Sequence, residues 1–211
     1  MDDVNVREVL SLLRSPDGRK RKEGWKIVEE MKEGNVLPLI RNRLYLRSLL
    51  WNPLEGVRED AWNHIDVYVS LNVKGVERTM KARSDTIKWS AWKRVHELVE
   101  LGLIDWVFVY SVRDSFWRLL KSRYPTIRKK AWRLFQELMK EGIFTERDKE
   151  RYVSLLKSEK ASVRIIAWKV ALSTGFFKRD ELRDMTQYLT ELTKEDSKVK
   201  IEAKRIMQEL S

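Results

Sequence analysis

The sequence predicts an all-α protein of the solenoid class, a tandem array of about six helical hairpins. Three observations carry this expectation. A short pattern recurs, made of an aliphatic residue, a base, two variable residues and then Ala-Trp. It reads Val57-Arg58-x-x-Ala61-Trp62, Ile87-Lys88-x-x-Ala91-Trp92, Ile127-Arg128-x-x-Ala131-Trp132 and Val163-Arg164-x-x-Ala167-Trp168. Degenerate copies at Lys20-Arg21-x-x-Gly24-Trp25 and Val199-Lys200-x-x-Ala203-Lys204 extend the series. Next, a Leu-Leu pair opens 13 residues before four of the tryptophans, with Leu12, Leu49, Leu119 and Leu155 preceding Trp25, Trp62, Trp132 and Trp168. Finally, Gly34, Gly102, Gly142 and Gly175 follow second helices, where a left-handed residue ends a helix.

The elements follow in order, as one repeat domain over 1–211 with repeats at 1–36, 37–72, 73–102, 103–142, 143–177 and 178–211. In the first repeat a helix from Val4 to Arg14 leads through Ser15-Pro16-Asp17-Gly18 into a second from Arg19 to Lys32. The second repeat pairs Leu37 to Leu50 with Val57 to Val69 across Asn52-Pro53. In the fourth, Trp106-Val107-Phe108-Val109-Tyr110 is rich in strand formers, but the repeat frame makes it a first helix. Stepping about 100° per residue from Ile127 places Ala131, Phe135 and Leu138 within about 80° of each other, one buried stripe. Trp132 lies on its edge.

Composition narrows the functional classes. The 211 residues suffice for one sizeable core, and 43% hydrophobic content excludes a disordered chain. There is no cysteine, which excludes disulfides and thiolate metal sites, and two histidines exclude a histidine-rich one. No apolar run is long enough to cross a bilayer, and Met1-Asp2-Asp3 does not open a secretory signal. These features predict a soluble, cytoplasmic protein with no membrane association. Charged residues make up 36% of the chain, mostly Lys, Arg and Glu, a thermophilic signature. The net charge is +11, and residues 71–143 hold most of the excess, with 16 basic and 8 acidic residues.

The recurring Val-Arg-x-x-Ala pattern resembles the second helix of HEAT repeats, and the resemblance covers essentially the whole chain. It implies antiparallel helix pairs stacked into a right-handed superhelix whose second helices line the concave face. In that family an Asp in the inter-helix turn often pairs with the recurring base. Asp17, Asp85 and Asp196 stand at such places here, with Glu55 and Glu159 as substitutes elsewhere. The Trp after Ala departs from the common pattern.

Candidate binding residues sit on this frame. The recurring base, Arg21, Arg58, Lys88, Arg128, Arg164 and Lys200, reads as pairing within the stack more than as a phosphate ladder. A second basic column follows the tryptophans: Lys26, Lys93, Arg133, Lys169 and Arg205. It points away from the core stripe, and on the resemblance into the groove, where Lys22 and Lys129 join it. The densest patch is Arg118, Lys121, Arg123, Arg128, Lys129, Lys130 and Arg133, with no acid among them. Lys81, Arg83, Lys88, Lys93 and Arg94 add to it from the third repeat. Uncompensated charge of one sign points to a polyanion. Trp89 sits in a partly polar column and is expected to face outward, available for stacking.

No nucleophile stands at a recognisable spacing from His64 or His96, and no glycine-rich phosphate loop or metal-ligand cluster is present. The leading expectation is a non-enzymatic protein, without cofactor or metal, that binds RNA, DNA or a ribonucleoprotein. Its basic surface centres on repeats three and four: Lys88, Lys93, Arg94, Arg118, Lys121, Arg123, Lys129, Lys130, Arg133 and Lys169. The alternative is a protein–protein scaffold with an acidic partner. A minor alternative rests on resemblance: some alkylpurine DNA glycosylases are built from HEAT-like repeats, and Asp60 and Asp66 are the acids nearest the groove.

Overall fold

The computed structural model describes residues 5–194 and 197–211. Val4 and Asp196 lie outside the described residues. Every regular element among the described residues is helical, so the fold is all-α, an α-solenoid assembled from helical hairpins. The chain falls into two compact units, Met1–Phe116 and Trp117–Ser211, within the span read as one repeat domain.

The first unit opens with α1 (Val6–Leu13) and α2 (Gly18–Glu33). Asn5 and Asp17 cap them, each side chain accepting a backbone N–H of the first turn. Gly24 holds the place that alanine takes in later hairpins, because a Cβ there would lie 2.8 Å from Leu12 Cβ and 3.0 Å from Leu13 Cδ2. The chain continues through α3 (Leu37–Ile40), α4 (Arg43–Leu49), α5 (Glu55–Asn63) and α6 (Ile65–Ser70). After a 3-10 stretch over Val76–Lys81 come α7 (Asp85–Trp92), α8 (Val95–Glu100) and α9 (Trp106–Ser111), and α10 (Arg113–Leu120) carries the unit boundary. The strand-like segment is thus the helix that the repeat frame demands, and Asp105 caps it by accepting from Phe108 N at 2.7 Å.

Several helices expected to be continuous are broken. α4 begins after a break at Asn42, α5 and α6 are parted at His64, and α7 and α8 at Lys93-Arg94. At the last break Arg94 N turns to Ala91 O, and the Arg94 guanidinium donates to Ser90 O at 2.8 Å. The side chain replaces the helical bond that the break removes.

The second unit contains α11 (Pro125–Lys140), a 3-10 turn at Glu146–Asp148, α12 (Lys149–Leu156), α13 (Ala161–Thr174), α14 (Arg179–Arg183), α15 (Gln187–Leu192) and α16 (Ser197–Leu210). Its core is aromatic. Trp117, Trp132, Phe135, Phe144, Tyr152, Phe176 and Phe177 form a chain of ring contacts with centroids 4.8 to 6.4 Å apart.

In two of the four Leu-Leu hairpins, and in the hairpin of Trp92, a hydrogen bond fixes the place of the tryptophan. Trp132 Nε1 donates to Leu120 O at 2.8 Å, Trp168 Nε1 to Leu156 O at 3.0 Å and Trp92 Nε1 to Met80 O at 2.9 Å. In each case the acceptor lies 12 residues back, at the end of the preceding helical stretch. The buried indole therefore satisfies a carbonyl that the helix end leaves open and sets the hairpin register. Trp25 and Trp62 are equally buried but their Nε1 atoms have no acceptor.

Helix ends follow the expected glycines at Gly102 and Gly142, whose φ values are 72° and 80°. In both, the next N–H reaches back to the carbonyl five residues earlier: Leu103 N to Leu98 O and Ile143 N to Leu138 O. Gly34 differs, with φ −121°, so it does not turn left-handed. Asn72 does so at φ 54°, with Val73 N on Tyr68 O, a helix stop that glycine spacing alone misses.

Candidate polyanion interface

The recurring base is structural wherever it is described with partners. Arg21, Arg58, Arg128 and Arg164 each donate to the carbonyl six residues back, on Ser15, Asn52, Ser122 and Ser158, at 2.6 to 2.9 Å. Each clips the inter-helix turn of its own hairpin. Arg21 then passes over Gly56 to Asp60, Nε to Oδ2 at 2.7 Å. Arg164 reaches Glu191 at 2.6 Å. The turn acid is not the partner in the first hairpin, since Asp17 is spent capping α2. The partner comes from the following hairpin.

Arg58 is buried and donates through Nε to Ser90 Oγ at 2.7 Å. Ser90 Oγ donates to Glu59 Oε1 at 2.8 Å, and Glu59 also receives Lys93 Nζ at 2.9 Å and the Arg94 guanidinium. Burial alone would raise the Glu59 carboxyl, but the Arg94, Lys93 and Ser90 hydrogen bonds outweigh it and bring the value down to about 2. One carboxylate therefore balances several cations.

This network changes the expected site. Lys93 and Arg94 are committed to Glu59, which is structural work between two hairpins. Lys88 is 2% exposed, with its ammonium donating to Ser115 O at 2.9 Å. Trp89 is 9% exposed and belongs to the core instead of facing outward. The reason is the same for both: the whole run Lys88–Trp92 is buried, so α7 is covered on more than one face and a single-stripe wheel misplaces it. Lys169 is exposed but paired with Glu202 at 2.6 Å.

Lys81 and Arg83 stay exposed in the first unit, and the rest of the expected patch lies in the second. Arg118, Lys121, Arg123, Lys129, Lys130 and Arg133 are all exposed. They come from the end of α10, the following turn and the first half of α11. Arg118, Lys121, Lys129, Lys130 and Arg133 make no ion pair among the described residues. Lys140, which sequence reasoning left out, is a further exposed base on the Lys129–Arg133 side of α11. Tyr124 is exposed in the same turn, with the Arg123 guanidinium over its ring at 4.9 Å and bonded to its hydroxyl at 2.7 Å. Its exposure had no signal in the repeat pattern.

Several acids and bases of the first unit are engaged with one another. Ligand atoms of Glu29, His64 and Asp66 lie within 4.8 Å of one another. The place a cation would take is held by Lys32 Nζ, 2.8 Å from Asp66 and 3.0 Å from Glu29. The Asp66 and Glu29 hydrogen bonds hold that ammonium above its ordinary value. His64 stacks on Trp25 at 4.5 Å with the rings 3° apart, and bonds Glu29 at 2.9 Å. Asp60 and Asp66, the acids nearest the expected groove, are thus both bound to internal cations. No helix among the described residues is long and apolar enough to cross a membrane.

No family model and no curated protein matches this sequence. Among solved structures, a designed armadillo repeat protein is similar at 15% identity over 98% of this chain and 100% of that one, with a TM-score of 0.42. The helical-repeat class rests on the chain's own recurring hairpins.

Proposed function

We propose that this chain is a non-enzymatic repeat scaffold of the HEAT type, with about six repeats, that binds a polyanion such as RNA, DNA or a ribonucleoprotein. The observation that carries the reading is the group of exposed bases from Arg118 to Arg133, five of them without an ion pair among the described residues. Structural use of a base in this chain commonly takes a recognisable form: a turn carbonyl, or a carboxylate from a neighbouring hairpin. Arg118, Lys121, Lys129, Lys130 and Arg133 have neither. Their placement even costs the helix. Lys129 and Arg133 stand at i,i+4 with like charge, and bases near a helix N-terminus oppose its dipole, each a few tenths of a kcal/mol. A charge kept at such a cost suits an external anion. The surface is narrower than the sequence suggests, because Lys88, Lys93, Arg94 and Lys169 serve the fold.

The test is retention on heparin and titration with nucleic acid across a salt series, for the natural chain and for Lys129→Glu, Lys130→Glu and Arg133→Glu combined. Loss of binding in the triple variant with an unchanged melting temperature supports the reading. Unchanged binding overturns it. One observation favours an additional protein partner. Leu37, Leu44, Trp51 and Leu54 are exposed in the first unit, with the exposed Arg41 in the same stretch. A pulldown with and without nuclease separates the two readings.

A further inference from the structure

Resting on the polyanion reading, we propose that the ligand is a single-stranded nucleic acid and that one of its bases stacks on Tyr124. Tyr124 is the exposed aromatic residue of the second unit: it is 37% exposed, Phe176 and Tyr188 are half-buried, and the other aromatic side chains of that unit are buried. An exposed aromatic ring by itself is ordinary. Three features distinguish this one.

The first is position. Tyr124 holds the residue before α11, the place taken by Asp17 before α2 and Ser84 before α7. Those two cap their helices through the side chain, whereas Tyr124 makes no side-chain cap. Leu54 and Lys160 likewise precede α5 and α13 without capping them, so the ring is not needed to start the helix. The second is surroundings. Lys121 and Arg123 precede it, Lys129 and Lys130 follow within two helical turns, and no acid occurs between Asp114 and Glu137. A backbone drawn to these bases passes beside the ring. The third is preorganisation. Arg123 both lies over the ring and holds its hydroxyl, so the phenol has a defined orientation before anything binds. A fixed aromatic ring among cations matches the two parts of a nucleotide, a flat base and a charged phosphate. A paired duplex offers the phosphate but keeps its bases stacked inside, and an acidic protein or a sulfated sugar offers no base.

The experiment compares three probes at one salt concentration by fluorescence anisotropy. They are a mixed-sequence single strand in RNA and DNA forms, the same sequence as a duplex, and heparin as a polyanion without bases. The natural chain is expected to prefer a single strand to the duplex, and the two sugar forms identify which strand it takes. Tyr124→Ala should weaken that strand by about 5- to 150-fold, the range that removing one stacked base predicts, and leave heparin retention unchanged. Tyr124→Phe, which keeps the ring and loses the Arg123 bond to the hydroxyl, should retain most of the affinity. Equal weakening of strand and heparin by Tyr124→Ala, or no weakening of the strand, overturns the proposal and leaves the polyanion reading standing. Failure of the natural chain to hold heparin or any strand removes the polyanion reading itself.

Discussion

Glu59 shows how much one side chain carries in this fold. It receives Lys93, Arg94 and Ser90, and through Ser90 it faces the buried Arg58. Its carboxyl is depressed to about 2 from an ordinary 4.5, so its contribution is complete above pH 4.5 and is lost as pH falls through the folded value. A shift of that size corresponds to about 3 kcal/mol at most. Melting temperature should therefore fall across that acidic window. Glu59→Gln should be destabilised near neutral pH, where three cations lose their shared anion, and should show a flatter acid limb in the same melts. The tryptophans offer a second comparison. Trp132→Phe removes a bonded indole N–H, whereas Trp25→Phe removes one without an acceptor. Both lose ring volume, but Trp132→Phe also leaves Leu120 O open and should cost about 1 kcal/mol more by denaturant titration. Equal costs would deny the indole its role in register.

Within a hairpin, the interface between helices is set by the small residue before tryptophan. Ala61, Ala91, Ala131 and Ala167 are fully buried, and Gly24 takes the corresponding place between α1 and α2. On helix propensity alone Gly24→Ala should stabilise α2 by about 1 kcal/mol. The approach of Leu12 and Leu13 reverses the sign, since a Cβ at 2.8 Å from Leu12 Cβ forces the helices apart. A net loss of roughly 1–2 kcal/mol is expected, as in other overpacked contacts. A stabilised variant in urea unfolding would show that α1 yields freely. Helix breaks obey the same logic of local substitution: Arg94 supplies to Ser90 O what the backbone withholds.

For the whole molecule, the +11 charge is divided by purpose. Bases that clip turns or bridge hairpins belong to folding and are insensitive to external salt where buried. The exposed bases from Arg118 to Arg133 are a dense group open to counterions. If five or six of them meet phosphates of a single strand, log K should fall against log salt with a slope of about −4. The triple reversal of Lys129, Lys130 and Arg133 should flatten it, and isothermal titration across salt concentrations measures both. A slope near zero would mean that these bases meet no phosphates.

The amino-acid pattern by itself determined the hairpins, their order and their register. Periodicity places Ala131 and Ile127 in a core stripe because a helix returns to the same face every few residues, and an indole-to-carbonyl bond holds the register at Trp92, Trp132 and Trp168. The same pattern marks the run from Arg118 to Arg133, which holds no acid and so has no carboxylate nearby in the chain. Only the tertiary structure decided which bases are free. Arg128 and Lys129 are neighbours of like charge, yet Arg128 is turned onto Ser122 O and Lys129 faces solvent. Trp89, which its partly polar column puts outside, and Lys88, which its charge adds to the basic surface, are both inside because their helix is covered on more than one side. Glu59 lies more than thirty residues from Lys93 and Arg94, and Asp60 as far from Arg21. Pairing over such separations depends on how one hairpin is set against the next, and that distance is created by packing, not by spacing along the chain.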